Sequence, residues 1–217
     1  DDEEEWLQAC TKIHPAIFKD GSKDCIFFKD LAGLQTQKDQ IKKALIQPLI
    51  YENLYPKVGK GFLLYGPPGT GKTLLVKAAV NELQLEDENV RVLFFAPTGA
   101  TLKGKYVGDT EKRIVEAYKC ASLAACKCEK NNPGKKYISV IFIDEIDSIA
   151  GDRNKDETGL MANSVNTLLQ VIDGLESPAN VATIGATNYP WQLDAAVLRR
   201  FDTQILLGLP DSPQIEK

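Results

Sequence analysis

The feature that most constrains the fold of this chain is a glycine-rich loop, Gly66–Thr73, with the sequence GPPGTGKT. It fits the pattern G-x-x-x-x-G-K-[ST], in which glycines let the backbone turn tightly enough for successive N–H groups to face a polyphosphate. In this pattern Lys72 supplies a positive charge for the β- and γ-phosphates, and the hydroxyl of Thr73 is placed to bind magnesium. The loop therefore predicts a site for a magnesium-bound polyphosphate.

The residues on both sides of the loop favour this prediction over a chance glycine-rich turn. Residues Phe62–Tyr65 are apolar and predict a short buried strand, whereas Leu74–Leu83 repeats apolar residues at helical spacing. A strand, a glycine loop and a helix N-terminus in this order allow the helix dipole to help hold an anion.

Composition indicates an ordinary globular enzyme domain. The chain has 217 residues, of which 43% are hydrophobic and 26% are charged, enough to bury a substantial core. Its net charge of -4 comes from the acidic start Asp1–Glu5, without which 25 acidic residues balance 26 basic ones. The basic pairs Lys42–Lys43 and Lys135–Lys136 are too small for a nucleic-acid-binding face, so we expect no direct nucleic-acid binding. No apolar run approaches the roughly 20 residues of a membrane span, and the acidic start is unlike a signal peptide.

The cysteines favour a reducing compartment. Their number is five, which is odd, and no secretory signal accompanies them, so we expect reduced thiols in the cytoplasm. A metal site built from Cys120, Cys126 and Cys128 is disfavoured, because no C-x-x-C spacing and no histidine partner accompanies them.

Strands and helices are predicted to alternate along the chain. The run Ile138–Ile143 is continuously apolar, which is typical of a strand buried on both faces of a parallel sheet. Further strands are predicted at Val90–Phe95, Val181–Thr187 and Thr203–Leu207, and helices at Asp39–Leu49, Asp109–Cys128, Asn163–Leu175 and Asp194–Arg200, with a loop at Thr98–Gly108. We therefore predict an α/β fold, a three-layer αβα sandwich around a parallel five-stranded sheet.

An acidic pair, Asp144 and Glu145, directly follows the most apolar strand. Open α/β sheets place ligands at the carboxyl ends of their strands, so the pair is expected at the phosphate site. Asp144 can hold the magnesium ion that Thr73 binds, and Glu145 can orient or deprotonate an attacking water. The alternative is a strand that simply ends in solvent.

Four segments together resemble the AAA family of ATPases in their order and spacing. They are Gly66–Thr73, Ile141–Asp147, Gly185–Asn188 and Leu198–Asp202. The resemblance covers residues 27 to 211 and implies a P-loop NTPase fold of the AAA type, with ATP and Mg²⁺ as cofactors. It ends where the small helical lid of the family would begin. We therefore expect an N-terminal linker at 1–28, a large α/β ATPase subdomain at 29–211 and the start of the lid at 212–217.

Within the family, the chain most resembles the clade of the ESCRT-disassembling (endosomal sorting) ATPase, katanin, spastin and fidgetin. The segment Asn188–Asp194 is similar to the ESCRT-disassembling member, whereas Ala196–Phe201 is similar to spastin. The chain departs from the clade at Ala162–Asn163, where many members have two arginines, and in a longer extension at 127–136.

The resemblance also implies roles for individual residues. Asn188 resembles the polar sensor that bonds the γ-phosphate or the water, although an asparagine also suits a plain turn here. Arg199 and Arg200 resemble arginine fingers that reach into the next subunit's site, with a surface arginine pair near a helix end as the alternative. On this basis we expect a nucleotide site formed by Asp30 and Ala32 near adenine, and by Gly66, Pro67, Pro68, Gly69, Thr70, Gly71, Lys72, Thr73, Leu74 and Asp144. The expected catalytic residues are Lys72, Glu145, Asn188, Arg199 and Arg200. The expected metal ligands are Thr73 and Asp144.

Two further loops resemble those that touch substrate in this family. Lys105, Tyr106 and Val107 resemble the first pore loop, in which an aromatic side chain faces a central channel. A tyrosine in a glycine loop that serves as a partly buried anchor is the alternative. The segment Gly151–Glu157 resembles the second pore loop.

Taken together, these features predict a magnesium-dependent ATPase that acts as a homo-hexamer. It would pull polypeptide through a central pore to remodel protein complexes, in a way most similar to ESCRT disassembly. A microtubule-severing ATPase is one alternative, and a nucleotide-binding interaction module with little hydrolysis is another. We expect the fragment itself to be a cytoplasmic monomer or weak oligomer, without a transmembrane segment and with membrane contact only through adaptors.

Overall fold

A computed structural model describes residues 15–16, 26–50, 61–155, 159–173 and 180–209 of the chain. The predicted start of the lid at 212–217 lies outside these residues. So do most of the predicted linker at 1–28 and the end of the predicted second pore loop.

The described residues form a six-stranded sheet at the centre of the molecule. Its strands in chain order are β1 (Pro15–Ala16), β2 (Gly61–Tyr65), β3 (Val90–Phe95), β4 (Lys136–Ile143), β5 (Val181–Thr187) and β6 (Thr203–Leu206). They lie in the order β1-β3-β4-β5-β2-β6; the pairs β3–β4, β4–β5, β5–β2 and β2–β6 are all parallel. The predicted parallel five-stranded sheet is confirmed, and the two-residue strand β1 adds an antiparallel edge beside β3.

Helices cover both faces of this sheet. The described residues form α1 (Gln35–Ile41), α2 (Gln47–Ile50), α3 (Lys72–Glu86), α4 (Gly99–Leu102), α5 (Asp109–Asn131), α6 (Asp147–Ala150), α7 (Leu160–Asp173) and α8 (Ala195–Leu198). A π-helical stretch, Lys42–Ile46, joins α1 to α2, and short 3₁₀ segments lie at Phe28–Asp30, Arg153–Lys155 and Pro190–Gln192. The prediction of a loop at Thr98–Gly108 was wrong at its start, because the side chain of Thr98 accepts a hydrogen bond from the backbone of Thr101 and caps α4.

Alternating side chains of the strands divide the core into two clusters. On β4, Val140 and Phe142 pack with α1, α2 and α3, whereas Ile141 and Ile143 pack with α5 and α7 on the opposite face. All four of these side chains are buried, as expected for a parallel strand covered on both sides. The three-layer αβα sandwich is therefore confirmed, and it brings the carboxyl ends of β2, β4 and β5 to one edge of the sheet.

Two buried hydroxyls in this sheet are satisfied by α5. The hydroxyl groups of Thr183 on β5 and Tyr118 on α5 are hydrogen-bonded at 2.8 Å, and Ser139 on β4 donates to the carbonyl of Ala121. Burial raises the pKa of Tyr118 well above its ordinary value, so its hydroxyl stays protonated.

None of the helices in the part of the chain that the structure describes is long and apolar enough to cross a membrane.

Candidate active site

The phosphate-binding loop connects β2 to α3 and is shaped by its glycines. Gly69 and Gly71 have φ angles of 76° and 85°, which a residue with a side chain rarely adopts. A Cβ atom added at either position would meet no atom within 4 Å, so the requirement for glycine there is conformational. Gly66, whose φ angle is 149°, is required for a second reason as well, since a Cβ atom at this position would lie 2.0 Å from the carbonyl oxygen of Leu207. The loop thus begins in direct contact with the end of β6.

Lys72 is the most connected side chain of the site. Its Nζ atom donates to the carbonyl oxygens of Gly66 and Pro67, both at 2.9 Å, and to Oδ1 of Asn188 at 2.7 Å. A lysine ammonium group has three protons, so these three acceptors use all of them. Burial lowers the pKa of Lys72 from its ordinary value, and the carboxylate of Asp144 acts in the opposite direction. A phosphate oxygen that binds Lys72 must therefore replace one of these acceptors.

Thr73 and Asp144 form the candidate metal site. Their side chains are hydrogen-bonded, with 3.3 Å between Oγ1 of Thr73 and Oδ2 of Asp144. Among the described residues, no group of three or more histidine, cysteine or acidic side chains could hold a metal ion. One hydroxyl and one carboxylate nevertheless fit Mg²⁺, which keeps several waters and takes further ligands from substrate phosphates.

Glu145 occupies a strained backbone conformation beside Asp144. Its φ angle is 51°, unusual for a residue other than glycine, and its backbone N–H donates to Oδ1 of Asp144 at 2.9 Å. The carboxylate of Glu145 is exposed, so water can reach it. The structure therefore brings Lys72, Thr73, Asp144 and Asn188 together, with Glu145 next to them at the open edge.

Gly99, which the sequence analysis did not single out, packs directly on the acidic pair. Its N–H donates to the carbonyl of Asp144 at 2.7 Å, and Asp144 in turn donates to the carbonyl of Pro97. A Cβ atom at Gly99 would lie 2.3 Å from the carbonyl oxygen of Glu145 and 2.1 Å from Oγ of Ser148. Only glycine fits this contact between α4 and the acidic pair.

The end of β5 is tied to the residues that follow the acidic pair. The hydroxyl of Thr187 donates to the carboxylate of Asp147 and accepts from the N–H of Tyr189 at 2.9 Å. The N–H of Ile146 donates to the carbonyl of Ala186 at 3.0 Å. These bonds on both sides of Asn188 fix its position relative to Asp144.

A second part of the site is a cleft of about 210 Å³ beside the phosphate-binding loop. Asp30 and Ala32, the residues predicted near adenine, line this cleft together with Gly69–Gly71 and Leu74. Leu31, Leu34 and Gly208 also line it and were not predicted. The carboxylate of Asp30 accepts from the N–H of Phe27, and the N–H of Asp30 donates to the carbonyl of Phe27, so this pair of bonds fixes the turn at the cleft.

The turn that carries Asp30 and Ala32 is held by side chains of α1 and α3. Lys38, which is buried, donates to the carbonyl of Leu31 at 2.6 Å, and burial lowers its pKa from the ordinary value. From α3, Asn81 donates to the carbonyl of Ile26, and Glu82 accepts from the N–H of Phe28. The turn is therefore attached to the helix that begins at the phosphate-binding loop.

The two candidate arginine fingers lie away from this cluster. Both side chains are exposed; Arg199 donates to the carbonyl of Ala195, and Arg200 forms an ion pair with Asp173 of α7. Among the described residues, their polar contacts are made with α7 and α8 and none is made with Lys72 or Asp144.

The first predicted pore loop projects from a braced backbone. Tyr106 and Val107 are 79% and 78% exposed, whereas the N–H of Tyr106 donates to the carboxylate of Asp109 at 3.1 Å. Arg113 of α5 donates to the carbonyls of Thr101 and Lys103, which holds the loop at its start. Tyr106 therefore does not have the partly buried setting of an anchor.

Arg153, in the predicted second pore loop, is paired with a buried carboxylate. Its Nε and Nη2 atoms lie 2.8 Å and 3.0 Å from the two carboxylate oxygens of Asp194. This hydrogen-bonded pairing holds the pKa of Asp194 down at about 2. Asp194 also caps α8, because its Oδ1 atom accepts from the N–H of Ala196.

A phosphate-binding loop between a strand and a helix, with an acidic pair at the end of a neighbouring parallel strand, defines the class of P-loop NTPases. Comparison with protein-family models narrows the class. Residues 62–209 match the model of the ATPase family associated with various cellular activities (AAA). The match covers more than half of the chain, and the chain belongs to the AAA family. Membership supports nucleotide binding and ATPase activity in the general sense of this family, whose domains commonly assemble as hexamers.

Proposed function

We propose that residues 29–211 are the large subdomain of a magnesium-dependent ATPase that works as a homo-hexamer on protein substrates. The observation that carries this proposal is the meeting of Lys72, Thr73, Asp144 and Asn188 at one edge of the sheet, beside the exposed Glu145. These residues come from three separate segments, and each has the side chain that hydrolysis of a nucleoside triphosphate requires.

Each residue has a distinct task in this proposal. The phosphate-binding loop and Lys72 bind the β- and γ-phosphates, and Lys72 exchanges Asn188 or a loop carbonyl for a phosphate oxygen as it does so. Thr73 and Asp144 hold Mg²⁺, which when bound neutralises negative charge on the phosphates. Glu145 accepts a proton from the attacking water. Asn188, released from Lys72, is free to bond the water or the γ-phosphate.

The arginines complete the site of a neighbouring subunit in this proposal. Arg199 and Arg200 are exposed, and among the described residues neither contacts Lys72 or Asp144 of its own chain, which supports a role outside that chain. A guanidinium group supplied in trans stabilises the charge that develops during phosphoryl transfer, an effect of about 10³–10⁵ in rate. Hydrolysis then depends on assembly of the ring.

Protein substrate is assigned to the exposed loop at Lys105, Tyr106 and Val107. Six copies of an exposed tyrosine around a channel can pack on an extended polypeptide without reading its sequence. The likeness of the segment Asn188–Asp194 favours a role similar to ESCRT disassembly over microtubule severing. We place such a protein in the cytoplasm, with membrane contact through adaptors.

Replacing Glu145 by Gln tests the proposal. This change keeps the shape of the side chain but removes the proton acceptor, so ATP should still bind while turnover falls by about 10²–10⁴-fold. Glu116→Gln, at an exposed position of α5, is the matched control and should leave both unchanged. Unchanged turnover in Glu145→Gln would refute the assigned role.

Dependence on protein concentration tests the assembly. A ring whose arginines act in trans should show turnover that rises more steeply than the concentration of the complete protein. Turnover that is absent at every concentration, with ATP bound, would instead identify a nucleotide-binding interaction module.

A further inference from the structure

The bond between Arg153 and Asp194 joins the segment that resembles the second pore loop to the helix that leads to the candidate arginine fingers. The carboxylate of Asp194 is only 5% exposed, and the guanidinium group of Arg153 contacts both of its oxygens. Bidentate pairs of this kind fix geometry as well as charge. The position of Asp194 is therefore set by Arg153.

Asp194 in turn sets the direction of α8. Its side chain accepts from the N–H of Ala196, and its carbonyl accepts from the N–H of Leu198 at 3.0 Å. The next two residues after α8 are Arg199 and Arg200, whose N–H groups donate to the carbonyls of Ala195 and Val197. Further along, Val197 is fully buried in the core and Arg200 pairs with Asp173. Asp194 is therefore the anchor at the start of a four-residue helix, and a shift of Asp194 tilts this short helix about Val197 and moves the arginines at its end.

On its other side, Arg153 belongs to the segment that follows the acidic pair. Gly151 pairs with Leu193, and the N–H of Asp152 donates to the carbonyl of Gln192 at 2.8 Å. The carbonyl of Ala150, at the end of α6, accepts from the N–H of Asp194. This segment begins only a few residues after Glu145, so it connects the catalytic edge of one chain to its own arginine-bearing helix.

We infer that Arg153 is a positioning residue which, through Asp194, orients Arg199 and Arg200 toward the nucleotide site of the neighbouring subunit. This inference rests on the proposed function, because it needs the two arginines to act in trans. Without Arg153, the buried carboxylate of Asp194 loses its counter-charge and moves toward water, taking the start of α8 with it. Displacement of a catalytic group by about 1 Å can cost about 10²-fold in rate.

Arg153→Met should therefore separate binding from turnover. The variant keeps its own phosphate-binding loop, so the Kd for ATP should stay unchanged, while turnover of the complete protein should fall by about 10–10²-fold. Arg153→Lys retains the charge but not the fork of two N–H groups, so its turnover should lie between that of Arg153→Met and that of the wild type. Asn166→Ala is the matched control, because Asn166 contacts Arg153 at 3.3 Å, and its turnover should stay within about twofold of wild type.

A mixing experiment distinguishes action in trans from damage to the variant's own site. Glu145→Gln chains keep their arginines but cannot hydrolyse ATP, whereas Arg153→Met chains keep Glu145 but misplace their arginines. In an equal mixture, a site of the second chain can be completed by arginines of the first. Turnover should then recover to roughly a quarter of wild type, since a head-to-tail ring offers this pairing at one interface in four.

Mixing Glu145→Gln with the double variant Arg199→Ala/Arg200→Ala provides the reference. If this reference recovers turnover and the Arg153→Met mixture does not, the inference about Arg153 is wrong and the proposed function stands. If neither mixture recovers, the proposed function itself fails. If Arg153→Met fails to bind ATP, Asp194→Asn repeats the test, because asparagine still caps α8 but cannot form the ion pair. For the inference to hold, the mixture of Asp194→Asn with Glu145→Gln must also recover turnover.

Discussion

The nucleotide-binding cluster and the exposed loops of this chain are built in opposite ways. In the cluster around Lys72, polar side chains find their partners within the chain, and all three protons of the lysine are bonded. Arg199, Arg200 and Tyr106, by contrast, are exposed, and the contacts of the two arginines among the described residues are confined to α7 and α8. In the proposed function, the first region binds nucleotide within a single chain, whereas the second finds its functional partners in an assembly.

Short helices connect the two regions. Helix α4 begins on the acidic pair through Gly99 and leads directly to the loop that carries Tyr106. Helix α8 begins at Asp194, which is bonded to the segment following the acidic pair, and leads directly to Arg199. Each exposed group is thus a few residues away from an anchor at the nucleotide-binding edge.

The largest loss of turnover in this comparison is expected for a substitution in the cluster around Lys72. Lys72→Met removes the charge for the phosphates and leaves the acceptor of Asn188 without its donor, so turnover should fall by at least about 10²–10³-fold. ATP affinity should fall as well, at every protein concentration, because the loss lies within one chain. Isothermal titration with ATP and a turnover assay measure both effects, with Lys119→Met at an exposed position of α5 as control. Full recovery of turnover at high protein concentration would contradict a self-contained cluster.

A smaller loss of turnover is expected for a substitution at Gly99, where α4 contacts the acidic pair. Gly99→Ala places a Cβ atom 2.3 Å from the carbonyl oxygen of Glu145, so either α4 or the acidic pair must move. Overpacking of this kind costs about 1–3 kcal/mol in the free energy of unfolding. Turnover should fall more than ATP affinity, since the shift acts on Glu145. Chemical denaturation and a turnover assay can be compared with Ala100→Ser, an exposed neighbour that should change neither.

The ion pair between Arg153 and Asp194, at the start of α8, should make the stability of the fold depend on pH. Because the pKa of Asp194 is about 2 in the folded chain and 3.8 ordinarily, the unfolded state binds more protons between these values. The stabilisation is therefore present above about pH 4 and disappears as the pH falls toward 2. We expect about 1–2 kcal/mol, reduced by the exposure of Arg153 to solvent. The difference in unfolding free energy between wild type and Asp194→Asn should shrink over this range; a constant difference would contradict the ion pair.

The sequence predicts those parts of the fold that are encoded locally. The bounds of β3 and β5 agree with the prediction, because both strands are rich in apolar and β-branched residues and are flanked by turn-forming residues. Helix α1 begins four residues before its predicted start, at Gln35, because the chain enters it through Leu34 in a left-handed conformation that no periodicity reveals. The phosphate-binding loop was found because its whole signal lies in eight consecutive residues.

The contacts that position the site could not be predicted from sequence patterns. Thr187 and Asp147 are 40 residues apart and Arg153 and Asp194 are 41 apart, so only the folded sheet brings them together. Gly99 carries a local signal, a glycine close after a strand end, but many glycines in turns have the same signal without such a contact. The roles assigned to the site residues remain predictions, whereas their arrangement around Lys72 is a property of the fold.

The smallest effect on stability is expected at the tip of the exposed loop. Tyr106 is 79% exposed, so Tyr106→Ala should change the free energy of unfolding by less than about 0.5 kcal/mol. Tyr118→Phe removes only a hydroxyl, yet it deprives the buried Thr183 of its partner and should cost about 1–3 kcal/mol. Thermal or chemical denaturation compares the two tyrosines directly, and stimulation of turnover by an unfolded polypeptide should be lost in Tyr106→Ala. A destabilisation of Tyr106→Ala comparable to that of Tyr118→Phe would mean that Tyr106 supports the fold of its own chain, and the contrast between the two regions would no longer hold.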